Sequence, residues 1–178
     1  MKPIAFVFPG QGSQAVGMLD AWGDHPAVRE TIAEASDALN EDIGALIAGG
    51  PKEDLALTTN TQPVMLVAGV ACWRAWRAEG GALPAAVAGH SLGEYSALVA
   101  AEALPLAEAV PLVRLRAQAM QEAVPVGTGA MAAILGLDAS KVIAGCAEVT
   151  GAMGQNGTEV VEAVNFNDPV QTVIAGTK

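Results

Sequence analysis

The sequence predicts an α/β fold in which a parallel sheet is flanked by helices, followed by a smaller α+β subdomain. Residues 4–8 and 85–88 are continuous apolar runs, which are typical of strands buried in a parallel sheet. Long segments between and after them show the 3.6-residue periodicity of helices. From about residue 127 the pattern changes to strand, helix, strand and strand, which predicts the smaller subdomain.

The first predicted strand, residues 4–8, contains two aromatic residues and is closed by a proline and a glycine, so we expect it to be fully buried. Helical patterns follow over residues 26–40, 42–47, 52–57 and 61–79. The last of these is apolar nearly all round, which predicts a central buried helix with Trp73 and Trp76 in the core. Pro63 would stand in its first turn, where proline is tolerated.

The second strand, residues 85–88, leads through a short turn into a helix that ends near residue 101. A further helix is predicted over residues 105–121, with apolar side chains on one stripe. Arg114 and Arg116 lie about 80° to either side of the centre of that stripe. Either guanidinium could extend along the helix to the edge of a pocket, and both could equally be solvated. The helical pattern does not distinguish between them.

The smaller subdomain follows a predicted boundary after residue 125, which gives domains 1–125 and 126–178. Its predicted elements are a strand over residues 129–137, a helix over 139–150, and strands over 160–165 and 171–175. This order matches the first part of a ferredoxin-like, split β-α-β subdomain and lacks its second helix and last strand. We therefore expect the chain to be a fragment, or its other half to come separately.

Composition excludes several classes of protein. The net charge is −10 and no basic run is present, which argues against nucleic-acid binding. Cys72 and Cys146 lie far apart in helix-like segments, which predicts buried thiols in a reducing compartment. No signal peptide is apparent, and the apolar stretches are too short to cross a bilayer. We expect a soluble, cytoplasmic protein with no membrane partner, no metal and no cofactor.

The most informative motif is Gly89-x-Ser91-x-Gly93, between the second strand and its helix. This spacing is typical of a nucleophile elbow, a sharp strand-to-helix turn with the serine at its apex. Glycine at the flanking positions leaves room for the strand and the helix to approach. The hydroxyl then stands beside a helix N-terminus, whose free N–H groups and dipole favour developing negative charge. The plainer alternative is a structural turn in which Ser91 caps the helix.

A glycine-rich loop follows the first strand and offers a second interpretation. Gly10-x-Gly12-x-x-Ala15 matches the dinucleotide-binding fingerprint. That fingerprint requires a helix at once, then a second strand ending in an acidic residue about twenty positions later. Glu30 and Glu34 instead fall within a helical pattern, so nucleotide binding is disfavoured. The carboxyl end of a buried strand remains a place where α/β proteins bind ligands.

A serine nucleophile needs a general base, usually a histidine within hydrogen-bond reach. His90 immediately precedes Ser91, and adjacent side chains point apart. His25 precedes a surface helix, where we expect a solvated or capping residue. In elbow enzymes the base follows the serine, and no histidine follows Ser91. The sequence therefore predicts that the base of such a site lies beyond Lys178.

Five segments of the chain carry a resemblance to a known family. They are FPGQGSQ at residues 8–14, GHSLGEYSAL at 89–98, MQEAVP at 120–125, GAMAAI at 129–134 and VNFN at 164–167. Together they resemble the malonyl-CoA:acyl-carrier-protein transacylase family of bacterial fatty-acid synthesis, which is related to the acyltransferase domains of polyketide synthases. The resemblance runs from Ile4 to Gly176 and covers the N-terminal part of the family's length.

The resemblance implies a ping-pong reaction in which Ser91 takes malonyl from coenzyme A as an ester. The ester then passes to the phosphopantetheine thiol of acyl carrier protein. By the family pattern, the backbone N–H groups of Gln11 and Leu92 would form the oxyanion hole. Arg116 aligns with the family arginine that pairs bidentately with the malonyl carboxylate, a geometry that suits a guanidinium.

Asn165 and Asn167 resemble a loop that lines the family's cleft, while the family's catalytic histidine and a later pocket glutamine fall outside this chain. Malonyl-CoA and acyl carrier protein are the implied partners. Two other functions stay open. One is a serine esterase or thioesterase that uses the same turn, and the other is a non-catalytic module that binds a partner through an unfinished sheet edge. An acidic carrier protein would need a local basic patch on this acidic chain.

Overall fold

A computed structural model describes residues 3–124, 127–153 and 159–178. The chain forms two compact units, Met1–Gln121 and Glu122–Lys178. The sequence-predicted boundary, at residues 125 and 126, lies outside the described residues, as does the end of the MQEAVP segment.

The first unit contains two strands and six helices among its described residues. They are β1 (Ala5–Phe8), α1 (Pro26–Leu39), α2 (Ile43–Gly49), α3 (Lys52–Ala56), α4 (Thr58–Ala78), β2 (Ala86–Gly89), α5 (Gly93–Ala100) and α6 (Leu106–Ala123), with a short 3-10 turn at Asp20–Trp22. The two strands pair in parallel, with Ala5 opposite Ala86 and Phe8 opposite Gly89. A small parallel sheet with flanking helices is therefore confirmed.

The central helix of this unit is α4, as the apolar pattern predicts, since twelve of its residues are buried. It begins at Thr58, earlier than expected, because the carbonyl of Leu57 accepts hydrogen bonds from the N–H groups of Asn60 and Thr61. Placing Pro63 in the first turn is therefore wrong. The proline lies inside the helix, one turn further on, where its ring leaves one helical carbonyl without an N–H donor.

The prediction that β1 is fully buried is wrong. Phe8 is 4% exposed and packs with Trp73, whereas Val7 is 73% exposed. Successive side chains of a strand point to opposite faces, and only one face of β1 meets the helices of its unit. The expectation for the tryptophans is wrong for one of the two, since Trp73 is buried and Trp76 is 40% exposed beside the loop that follows α4.

The second unit contains β3 (Gly129–Leu135), α7 (Ala139–Met153), β4 (Val161–Asp168) and β5 (Gln171–Thr177). The order of strand, helix, strand and strand agrees with the sequence prediction. The strands form an antiparallel sheet in the order β3-β5-β4, and α7 packs on β4 and β5. Val142 and Cys146 of α7 are buried.

Within ranges 3–124, 127–153 and 159–178, no helix combines the length and apolarity that crossing a membrane requires. The same ranges hold no group of three or more histidine, cysteine, aspartate or glutamate side chains arranged to hold a metal ion.

Candidate active site

The turn between β2 and α5 holds Ser91 in a conformation that few residues other than glycine adopt. Its φ is +54°, in the left-handed region. A Cβ atom on Gly89 would collide with the backbone of Gly93, and one on Gly93 would collide with the carbonyl of Phe8. Both flanking glycines are therefore required by close backbone approach, because backbone atoms cannot rotate away as side chains do.

The parallel pairing of β1 and β2 places the loops after both strands at the same sheet edge. The N–H of His90 donates to the carbonyl of Phe8 at 3.1 Å, which extends the pairing into the turn. A Cβ atom on Gly10 would come within 2.9 Å of the His90 carbonyl oxygen. The glycine-rich loop thus lies against the serine turn, and Gln11 is tied to α4 by its side-chain amide, which donates to Thr58 Oγ1 at 3.1 Å.

Arg116 is the charged side chain that meets the serine. Its Nη2 donates to Ser91 Oγ at 2.9 Å and its Nη1 donates to Gln62 Oε1 at 2.6 Å. The guanidinium carbon also lies 6.0 Å from the centre of the Tyr95 ring, within cation–π range. Residues of α4 and α5 therefore contact the guanidinium of Arg116, and that guanidinium in turn donates to the hydroxyl of Ser91.

Arg114 has a different environment, which separates the two arginines that the helical pattern left equivalent. Its guanidinium donates to Asn60 Oδ1 at 2.9 Å and forms an ion pair with the carboxylate of Glu41. The side chain is only 15% exposed. Arg114 therefore joins α6 to α4 and to the segment before α2, and its charge is already compensated by a carboxylate.

The N–H groups of Gln11 and Leu92 lie in the two loops that meet at this edge. Neither N–H donates in the backbone–backbone hydrogen bonds of the turns, loops and caps between described residues. Leu92 immediately precedes α5 and its side chain is 1% exposed, so its backbone is fixed by the core. Free N–H groups at a helix N-terminus can stabilise an anion.

The histidines have structural roles in the described contacts. His25 stands at the N-terminus of α1, its Nε2 lies 3.2 Å from Glu79 Oε1, and its ring meets the edge of Trp22. It therefore ties the start of α1 to the end of α4. His25 occupies the N-cap position, but its side chain makes no capping hydrogen bond and is only 15% exposed, so the expectation of a solvated or capping side chain is wrong. The backbone of His90 holds the turn, since its carbonyl also accepts from Gly93 N–H at 2.9 Å.

Sequence reasoning missed Gln62. This side chain is fully buried in α4, with Oε1 on Arg116 and Nε2 on the Met120 sulfur at 3.4 Å. A signal was present, because a lone amide in a helix that is apolar nearly all round must find hydrogen-bond partners inside the protein.

Asn165 and Asn167 lie on β4 of the second unit. Asn165 is opposite Val173 of β5 at a register shift, and Asn167 Nδ2 donates to Gln171 Oε1 at 3.4 Å. Cys72 of the first unit is half-buried, and burial raises the pKa of its thiol while a hydrogen bond with Trp22 lowers it.

Comparison with known families first gives the class of the chain. The family model described as the acyl transferase domain matches residues 5–178, so the chain belongs to the acyl transferase domain family. The names of its relatives are more specific than this family description. Malonyl CoA-acyl carrier protein transacylase of Salmonella typhimurium (strain LT2) is 55% identical over 179 residues, which cover 100% of this chain and 56% of the relative. The protein of the same name from Bacillus subtilis (strain 168) is 46% identical over 99% of this chain and 54% of its own length.

Solved structures agree with this relationship. The acyl-carrier-protein S-malonyltransferase of Burkholderia pseudomallei 1710b is 66% identical with a TM-score of 0.92, over 99% of this chain and 56% of that one. The malonyl-transacylase PlMCAT, solved in complex with the type II PKS acyl-carrier protein AntF, is 52% identical with a TM-score of 0.91, over 99% and 56%. The resemblance found in the sequence is confirmed. The chain spans about half the length of the relatives it matches.

Proposed function

We propose that the protein containing this chain transfers malonyl from coenzyme A to the phosphopantetheine thiol of acyl carrier protein, for fatty-acid synthesis. The observation that carries the proposal is the 2.9 Å contact between Arg116 Nη2 and Ser91 Oγ. A cation fixed on a hydroxyl in a strained turn suits an acyl group that itself carries a carboxylate. The names of the relatives support the same reaction.

In this proposal, the turn at Ser91 is a nucleophile elbow. The serine oxygen attacks the thioester carbonyl of malonyl-CoA, its proton goes to a general base, and the coenzyme A thiol leaves. The resulting seryl ester is then attacked by the carrier-protein thiol, which takes the malonyl group and returns the serine hydroxyl. The N–H groups of Gln11 and Leu92 stabilise the oxyanion of both tetrahedral intermediates. Losing one such donor costs about 100- to 1,000-fold in rate.

Arg116 binds the free carboxylate of the malonyl group. A guanidinium has five N–H donors, and the contacts with Gln62 and Ser91 use two of them, so donors remain for a carboxylate. A hydrogen bond to a charged group contributes about 1.5–3 kcal/mol, which corresponds to a discrimination of about 10- to 100-fold against acyl groups without the carboxylate. Arg116 is therefore the specificity residue.

The general base is proposed to be neither His25 nor His90. His25 is engaged with Glu79, and His90 shapes the turn with its backbone. We place the base in residues of the intact protein outside these 178, since the relatives are longer than the part that this chain matches.

The second unit is proposed to be the first part of a ferredoxin-like subdomain. The antiparallel order β3-β5-β4 and the position of α7 on β4 and β5 support this proposal.

The test uses the intact protein as it is encoded, incubated with malonyl-CoA labelled in the malonyl group. We expect label on the peptide that contains Ser91, stable until acyl carrier protein is added and then moved to its thiol. Ser91→Ala should remove the label. Release of free malonate at the rate of loading, without carrier protein, would instead identify an esterase or thioesterase.

A further inference from the structure

We propose that Gln62 is a positioning residue that holds the guanidinium of Arg116 ready for a carboxylate, and that Met120 fixes the orientation of the Gln62 amide. The inference rests on the proposed role of Arg116, and it assigns to the buried α4 helix and to Met120 a part in substrate selection.

The partners of the Gln62 side-chain amide fix its orientation. Gln62 is 0% exposed, so both ends of its amide need partners inside the protein. A thioether sulfur accepts hydrogen bonds and has no proton to donate, so the amide nitrogen must face Met120 at 3.4 Å. The oxygen then faces Arg116 at 2.6 Å. The reverse orientation would place two donors, the amide NH2 and the guanidinium, against each other.

Both partners of the Gln62 amide, Arg116 and Met120, belong to α6. Arg116 and Met120 are four residues apart on α6, so their side chains lie on the same face of the helix. Gln62 reaches that face from α4 and contacts both. The three residues therefore form one hydrogen-bonded cluster between the two helices. The way α6 packs on α4 sets the position of the guanidinium beside Ser91.

The positive charges of Arg114 and Arg116 are treated differently by their surroundings. Arg114, two residues earlier, is neutralised by Glu41. Among the described residues Arg116 forms no ion pair, and its hydrogen-bond partners are the neutral Gln62 amide and the neutral Ser91 hydroxyl. A neutral acceptor restrains the guanidinium, which otherwise has many rotamers, without consuming its positive charge. That charge stays available for an acidic acyl group.

The decisive variant is Gln62→Glu in the intact encoded protein. It keeps the size of the side chain but supplies a carboxylate that competes for Arg116. We expect KM for malonyl-CoA in the loading of Ser91 to rise about tenfold or more, with loading from acetyl-CoA changed about twofold or less. Gln62→Met, which removes the oxygen acceptor, and Met120→Leu, which removes the sulfur acceptor, should each raise the same KM by a smaller factor.

The matched control is Gln118→Glu, the same charge change on the exposed side of α6, which should leave both KM values unchanged. The ratio of malonyl to acetyl loading is the readout that a merely structural defect would not move, because misfolding lowers both. If Gln62→Glu fails to fold, Met120→Leu and Gln62→Met test the proposal instead, because Met120→Leu removes the sulfur that accepts from the amide and Gln62→Met removes the amide itself.

Two failures are distinguishable with Arg116→Ala measured alongside. If that variant loses malonyl loading while all Gln62 and Met120 variants behave like the control, the positioning proposal is overturned and the proposed function stands. If Arg116→Ala loads malonyl as well as the unaltered protein does, the proposed role of Arg116 fails, and the inference fails with it.

Discussion

Two arginines on α6 show how much depends on the partner of a single side chain. Arg114 and Arg116 are separated by one residue, yet the first is neutralised by Glu41 and the second contacts Ser91 and Gln62. Both are tied to the protein, because each guanidinium donates to an acceptor on α4. The position of the acceptors, and not the helix face alone, gives the two residues different roles.

This contrast leads to a prediction for the intact encoded protein. Arg116→Ala should lower the ratio of malonyl to acetyl loading on Ser91 by about 10- to 100-fold, because the only restrained cation beside the serine among the described residues is lost. Arg114→Ala should change that ratio little and should instead lower stability, since it leaves Asn60 and Glu41 without their partner. Steady-state rates with both thioesters measure the effect. Equal losses of selectivity in the two variants would contradict the assignment.

The thiol of Cys72 provides a second prediction. Burial raises the pKa of its thiol and lowers the thiolate fraction at neutral pH. Alkylation by iodoacetamide, followed by peptide mass spectrometry, should therefore be slow near pH 7 and should accelerate as pH rises toward and above the usual thiol range. Denatured protein is the control and should react faster at every pH below that range. Equal rates in folded and denatured protein at pH 7 would contradict the prediction.

At the scale of elements, the site depends on how closely β1, β2 and α5 approach. Gly93 begins α5 directly against the carbonyl of Phe8, and Gly89 ends β2 against the backbone of Gly93. The close packing holds Ser91 at φ +54° and brings the loop of Gln11 beside it. The turn therefore requires glycine at both positions of the motif, because a Cβ atom at either would overlap backbone atoms.

Gly93→Ala tests this condition. The added methyl group overlaps a backbone carbonyl, so we expect a loss of stability of about 1–3 kcal/mol. Displacement of the serine by about 1 Å should lower Ser91 loading by about 100-fold. Gly145→Ala in α7 is the control, because a Cβ there meets open space, and it should stabilise its helix by about 0.5–1 kcal/mol. Thermal melts and loading rates measure both. Unchanged loading in Gly93→Ala would show that the close approach is not needed.

Across the chain, the identity of the general base depends on where a histidine stands in the sequence relative to Ser91. His25 is far earlier in the sequence than Ser91 and is used to join α1 to the end of α4. In elbow enzymes the base follows the nucleophile. In the proposed function, the site residues of this chain therefore form the part of the catalytic arrangement that holds the nucleophile, the acyl carboxylate and the oxyanion.

His25→Ala in the intact encoded protein should accordingly keep Ser91 loading within about threefold, since a general base contributes about 100- to 10,000-fold. A small loss of stability, below about 1 kcal/mol, is expected from its partly exposed pair with Glu79. Loading rates, with Ser91→Ala as the inactive reference, check this outcome. A loss of 100-fold or more would identify His25 as the base and overturn the proposed chain order.

Much of the architecture could be predicted from local patterns. The periodicity of α1, α6 and α7 and the apolar runs of β1 and β2 are properties of short segments, so their types and approximate bounds were predictable. The burial of β1 and Trp76 was not, because exposure depends on which elements pack on each face. The start of α4 could not be predicted from the apolar pattern, because it depends on hydrogen bonds from Asn60 and Thr61 to the Leu57 carbonyl.

The strand-to-helix turn at Ser91 follows from local sequence, because glycine at positions 89 and 93 permits the close backbone approach, and the order of the motifs identifies the family. In contrast, tertiary packing selects which arginine contacts the serine and brings Gln62 and Met120 together beside that arginine. The physical reason is that these contacts join residues 25 to 58 positions apart. Such contacts depend on how α4, α5 and α6 pack together, and no local periodicity specifies that packing.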